Sequence, residues 1–315
     1  MTRGKLIIGG TLLTLSVAGQ SARAQAPVPP IAAFKSSVDL VRIALVVRDQ
    51  KGRFVQDLTG RDFEVLDGGQ TRGITDLQKD LAGVSVAVLF DVSGSMEGHM
   101  PQAREAATHL LSWMDAASDE AAVYTFDTRL DERTPFTAGL RTLPDSLTTV
   151  VPFGATSLHD AIAETARRAG ARDGRRSAVV VMTDGADTAS HLKPEEVSAI
   201  ASAIDVPVYI FGIVPSIDNP SADTSTRSVG SAAFAGPLAD LAAWTGGHVF
   251  VASTPGQRSV AARQIIDELR HQYVIAFESS GRPGWHPLVV RARNKDLTVR
   301  ARSGYIAGQS RPTAH

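Results

Sequence analysis

Residues Val84 to Phe90 read VSVAVLF, seven residues without a charge. A strand has this composition when both of its faces are covered. Ala178 to Met182 (AVVVM) repeats the pattern. Segments of another period lie between and beyond these runs. Ala103, Ala106, Ala107, Leu110, Leu111 and Met114 fall at helical spacing, as do Leu158, Ala161, Ile162, Thr165, Ala166 and Ala169. Ala121–Phe126, Val206–Ile213 and His248–Ala252 read as further strands. Val197–Ile204, Leu238–Thr245 and Ala262–Leu269 read as further helices. Buried strands alternating with amphipathic helices point to an α/β fold, a doubly wound and mostly parallel sheet with helices on both faces.

The flanks follow another rule. Val38–Asp49, Asp62–Leu66 and Gly73–Leu77 precede the alternating region, and Tyr273–Phe277, Pro287–Ala292 and Leu297–Ala301 follow it. Short turns and no crossover helix separate these strands, so they are expected to be antiparallel. Each flank is about the size at which an independent core fails. The expectation is therefore one small antiparallel β domain built from both flanks, with two separate β appendages as the alternative. The implied division is a leader at 1–24, a linker at 25–37, a β flank at 38–80, the α/β domain at 81–271, a second β flank at 272–308 and a tail at 309–315. Pro215–Gly236, rich in Ser, Thr, Ala and Asp, follows a strand end and is expected on the ligand-binding face of the sheet.

The N-terminus combines Arg3 and Lys5, a 13-residue uncharged run from Leu6 to Ala18, and Ala22-Arg23-Ala24. That order reads as a secretory signal peptide cut after Ala24. A membrane anchor is the competing reading, but a span needs about 20 apolar residues. The expected location is secreted or periplasmic. Without residues 1–24 the chain carries 29 bases against 33 acids. This balance argues against a nucleic-acid or lipid-surface binder. The chain has no cysteine, which excludes disulfides, zinc-thiolate and iron–sulfur sites, cysteine nucleophiles and a thiol-linked lipid.

Chemistry-bearing residues gather beside the most buried runs. Asp91-Val92-Ser93-Gly94-Ser95 follows the first, Gly154-Ala155-Thr156-Ser157 precedes the helix at Leu158, and Thr183-Asp184-Gly185 follows AVVVM. A doubly wound sheet can bring these loops to one end. The side chains are all hard oxygen donors, which select Mg2+, Mn2+ or Ca2+ over zinc or copper. In such a set two Ser and one Thr could bind directly, two Asp could hold waters, and one position would stay open.

At these residues the chain resembles the von Willebrand factor A domain with its metal-ion-dependent adhesion site. The family pattern Asp-x-Ser-x-Ser, then Thr, then Asp is matched by Asp91, Ser93 and Ser95, by Thr156 in GATSLHDAI, and by Asp184 in TDGADT. The resemblance spans about residues 81–270. The flanks VDLVRIALVVRDQKGRFVQDLTGRDFEVLDGG and ELRHQYVIAFES…LTVRARSGYIA more loosely resemble the secreted VWFA-related Acidobacterial domain family. The resemblance implies a non-enzymatic, cation-dependent adhesion module. Its open metal position takes an Asp or Glu carboxylate from a protein partner.

Each residue also has a structural reading. Asp91 can cap a helix, Ser93 and Ser95 can be turn residues, Thr156 or Ser157 can be the N-cap of the helix at Leu158, and Asp184-Gly185 is a common turn pair. His99, His159 and His191 read as surface or loop residues. Asp127 and Asp187 read as added charge near the site or as solvated groups. Arg167, Arg168, Arg172, Arg175 and Arg176 read as a solvated helix end. The rival functions are a metal-assisted hydrolase, which needs a base the motif does not supply, and an envelope scaffold with a purely structural metal. No GxSxG or GxxxxGK[ST] motif is present.

Overall fold

The computed structural model describes residues 40–79, 83–172, 174–203, 205–214, 234 and 236–307. The leader, the linker, nearly all of the Pro215–Gly236 stretch and the tail lie outside the described residues. The N-terminal flank supplies four strands: β1 (Leu40–Arg48), β2 (Phe63–Asp67), β3 (Gln70–Arg72) and β4 (Ile74–Gln78). The α/β region runs β5 (Val84–Asp91), α1 (Met100–Trp113), β6 (Glu120–Phe126), β7 (Leu130–Ala138), α2 (Asp145–Thr148), α3 (Leu158–Gly170) and β8 (Arg176–Thr183). It continues with α4 (Pro194–Ala203), β9 (Val208–Ile213), α5 (Pro237–Trp244), β10 (Val249–Ala252) and α6 (Pro255–Arg270). The C-terminal flank adds β11 (Tyr273–Glu278), β12 (Gly284–Ala292), β13 (Thr298–Ala301) and β14 (Gly304–Ala307).

The central sheet has the order β10-β9-β8-β5-β6-β7. Its pairings are parallel except β6 with β7, which closes one edge antiparallel. Alternate residues of β5 face opposite layers. Val84, Val86, Val88 and Phe90 pack with α1 and α6, and Ala87 and Leu89 pack with α3, α4 and α5. The side chains of β5, β6 and β9 are buried along their whole length, and apart from Glu120 and Asp91 they are uncharged. Strand order reverses at β5, because β6 lies on one side and β8 on the other. Crevices at such a reversal, at the carboxyl ends of the strands, are where open α/β sheets hold ligands.

The flanks form a sandwich of two four-stranded sheets, β13-β1-β11-β4 and β14-β12-β2-β3. Each sheet takes two strands from each flank. Leu40 stands opposite Glu278, and Phe63 opposite Ala292. Val41, Ile43, Leu45 and Val47 of β1 meet Val65, Leu288, Val290 and Tyr305 in a separate apolar core. Sandwich and α/β layers belong to one compact unit, Val38–His315. Three strands were expected on each side, and four are present. Gly73 divides β3 from β4, and the four-residue β14 follows β13 after a two-residue turn. The edge strand β7 was also not foreseen.

Ion pairs between layers involve buried groups. Glu268 of α6 is 3% exposed and binds Arg48 of β1 at 2.9 Å and Arg300 of β13. The arginine-rich end of α3 is not merely solvated, as its sequence suggested. Arg172 makes two hydrogen bonds, 2.7 and 2.8 Å, to the buried Glu120 carboxylate, and Arg175 Nη1 donates to Ser118 O.

Candidate metal centre

Asp91 ends β5, where its side chain is fully buried. Its Oδ1 accepts the Ser93 backbone N–H at 2.9 Å and the Ser93 hydroxyl at 2.6 Å, while its Oδ2 accepts the Thr183 hydroxyl at 2.7 Å. Ser93 Oγ lies 3.2 Å from Ser95 Oγ, and Ser95 is exposed. Because the Ser93 proton points at Asp91, the remaining lone pairs of Ser93 are free for an electrophile. Asp184, half-buried just beyond β8, is near enough for its charge to act on Asp91.

Backbone hydrogen bonds zip three loops together. Gly94 N donates to Gly154 O at 3.0 Å, and Phe153 N donates to Val92 O at 3.0 Å. Gly154 turns there with φ +84°, a conformation natural to glycine. On the other side Thr156 N donates to Thr188 Oγ1 at 2.9 Å, and the Thr188 and Ala189 amides both donate to Thr156 O. Thr156 is thus anchored between the Asp91–Ser95 and Asp184–Ser190 segments. Asp91, Ser93 and Ser95 form a continuous side-chain chain. Thr156 joins it through backbone, and among the described residues its hydroxyl makes no hydrogen bond to the other four.

Several supporting groups had no sequence signal. Thr183 looks like strand filler, yet it holds one Asp91 oxygen. Ser157 occupies the N-cap of α3 without a side-chain cap bond. That role falls to Asp187, whose Oδ1 accepts the Leu158 N–H at 2.9 Å and whose Oδ2 meets His159 Nδ1 at 2.8 Å. His159 is therefore buried, 8% exposed, rather than a surface residue. Asp160 accepts the His191 and Leu192 amides and fastens the loop that follows β8.

Burial raises the Asp91 pKa to about 6, against the lowering effect of the Ser93 and Thr183 hydrogen bonds, and the Asp184 charge adds to the rise. Neither Asp91 nor Asp184 has an ion-pair partner among the described residues. A carboxylate carried into the interior without a cation is costly unless something neutralises it. The donor chemistry fits a hard divalent cation. Neighbouring oxygens in an octahedron with about 2.1 Å metal–oxygen bonds stand roughly 3 Å apart, close to the 3.2 Å between Ser93 and Ser95. Among the described residues no cluster of three or more His, Asp or Glu offers a competing cage.

A model of the von Willebrand factor type A domain matches residues 85–266. The chain belongs to that family. It is a family that often mediates metal-dependent protein interactions and commonly binds a divalent ion. Solved structures similar to the chain include the conserved hypothetical protein BatB from Bacteroides thetaiotaomicron, with 18% identity over 59% of this chain and 98% of that one, TM-score 0.48. A von Willebrand factor type A protein from Catenulispora acidiphila is 12% identical over 87% and 76% of the respective chains, TM-score 0.47. Proximal thread matrix protein 1 of the mussel byssus, solved with a zinc-occupied motif, is 19% identical over 64% and 49%, TM-score 0.42. No curated protein matches the sequence. Among the described residues no helix is long and apolar enough to cross a membrane.

Proposed function

We propose that this von Willebrand factor type A protein is an exported, non-enzymatic binding module that captures an acidic group of a partner protein at a divalent cation. The carrying observation is the buried Asp91 carboxylate, which accepts the Ser93 hydroxyl at 2.6 Å and has no Lys, Arg or His paired with it among the described residues. Ser93, Ser95 and Thr156 would hold the ion directly, and Asp91 and Asp184 would balance its charge from behind. When bound, a divalent ion ligated by neutral hydroxyls keeps most of its charge and supplies an electrophilic position for a carboxylate. Asp91 orients Ser93 and makes its oxygen more basic, as outer carboxylates do for metal ligands. Thr183 in turn fixes Asp91. A hydrolytic reading needs a general base aimed at the site, and among the described residues no His makes a hydrogen bond to Asp91, Ser93, Ser95, Thr156 or Asp184.

Calorimetric titration of the full chain with Mg2+ tests the ion, and capture from envelope extract in Mg2+, released by EDTA, tests the partner. Asp91→Ala should lose both while circular dichroism stays unchanged. Capture insensitive to EDTA would overturn the reading. Mass spectrometry of the exported protein should find Gln25 as the first residue, and an intact Met1 in the soluble envelope fraction would sink the secretion part.

A further inference from the structure

Seven large apolar side chains are exposed among the described residues, and two stand apart. Val151 and Phe153 are each 81% exposed, whereas the other five lie between 38% and 49%. Both sit in the segment Val150–Ala155, which leads into Thr156. Val150 packs against the core beneath α1 and α6, so the segment is anchored while its neighbours face solvent. The anchoring continues at the metal loop, where Phe153 N–H binds Val92 O and Gly154 O receives Gly94 N–H. The apolar pair is thus held in fixed register with Ser93 and Ser95. Phe153 and Thr156 are three positions apart, which limits their spacing to roughly 10 Å. An extended peptide covers that distance in about three residues.

We infer that Val151 and Phe153 form the apolar half of a two-part recognition site, and that the occupant is an extended segment of a partner protein. It carries one Asp or Glu, with a bulky apolar side chain two or three positions away. The inference rests on the cation reading of the site. The surrounding charge selects this occupant over a polyanion. The loops that frame the site carry Glu97, Asp127, Asp184 and Asp187 against Arg129 and Lys193, an acidic excess. Once one carboxylate has been taken up, further negative charge on the partner meets like charge. Apolar contact adds affinity without that conflict. Burial of one large apolar side chain is worth about tenfold or more in affinity.

The test is panning of a displayed random heptapeptide library on the full chain, in Mg2+ and in EDTA, beside the Phe153→Ser variant. Calorimetry with Mg2+ alone is run on both proteins. Support is enrichment, in Mg2+ only, of sequences pairing Asp or Glu with Phe, Leu, Ile, Met or Trp two or three positions away. In Phe153→Ser the acidic preference remains, the apolar preference disappears, and Mg2+ affinity is unchanged. Synthetic peptides from the selection should then bind about tenfold more weakly to the variant. Four results overturn the proposal: acidic peptides with no apolar preference, the same apolar preference in the variant, no enrichment by a chain that does bind Mg2+, or self-association through this segment that the variant abolishes. Absence of Mg2+ binding in the wild type overturns instead the cation reading beneath it.

Discussion

Glu268 and Asp91 are both buried carboxylates, and the two regions treat them in opposite ways. At the joint between α6 and the sandwich, burial pushes Glu268 up, but the Arg300 and Arg48 guanidiniums overcome it and hold the acid below its usual range. At the end of β5 burial also pushes up, and only neutral hydroxyls and an amide oppose it, so Asp91 stays raised at about 6. Among the described residues two cations meet the first acid and none meets the second. The structural joint carries its own counter-charge, whereas the end of β5 leaves a buried acid to hydroxyls and an amide alone.

Removing one side of the structural joint should cost most. Glu268→Gln leaves Arg300 and Arg48 facing a neutral amide, and loss of a buried partner is expected to lower stability by about 3–5 kcal/mol. Urea unfolding of the full chain measures it, and a loss under 1 kcal/mol would mean the joint is no tighter than a surface pair.

The pH response of the two acids should have opposite signs. The folded pKa of Asp91, about 6, stands above the 3.8 of an unfolded Asp. The folded state holds the extra proton between those values, so in EDTA this group makes stability fall as pH rises from about 4 to 6.5, by on the order of 2–3 kcal/mol. Glu268 is lowered instead, so its contribution is present above its unfolded value and is lost as pH falls through its folded value. Asp91→Asn should flatten the fall between pH 4 and 6.5 and remove any stabilisation by Mg2+ at pH 7. An unchanged difference between wild type and variant across that range would break the comparison.

Smaller effects sharpen it. Thr183→Val removes the hydroxyl on Asp91 Oδ2 and should weaken Mg2+ binding about 10–100-fold while costing only about 1 kcal/mol of stability. Equal Mg2+ affinity in calorimetry would make Thr183 a packing residue. Phe153→Ser should shift the unfolding midpoint least, within about 0.5 kcal/mol, because the ring is mostly in water.

What the sequence disclosed follows the range of each interaction. Uncharged runs at β5 and β8 and the helical spacing at α1 and α3 are local patterns, and they located the central layers. The loops after β5 and β8 and before α3 then fell at one end of the sheet because topology places them there. The edge strand β7 left little trace, since none of its side chains is fully buried and its polar residues follow no period of two. β14 has four residues and was too short to show a period. Thr183 and Asp187 act through partners far along the chain: Asp91 lies 92 residues before Thr183, and Leu158 lies 29 before Asp187. No local spacing encodes such contacts. His159 was misplaced for the same reason, because its partner Asp187 comes from another loop.

The interleaved sandwich imposes an order on assembly. The chain emerges N-terminus first, so β1 comes early, but both of its neighbours, β11 and β13, come only after the whole α/β region. β4 also waits for β11, and β2 meets only β3 until β12 is made. The early strands therefore keep open edges until the C-terminal flank emerges, a state prone to mispairing. The α/β layers can close meanwhile, and their folding draws residue 83 and the end of α6 into one body. Leu40 and Glu278 then no longer search across the full intervening loop, whose closure in a flexible chain would cost about 5 kcal/mol. The α/β layer acts as the clasp that lets its own support form, so a mutation that slows that layer should first appear as aggregation through the unpaired N-terminal strands.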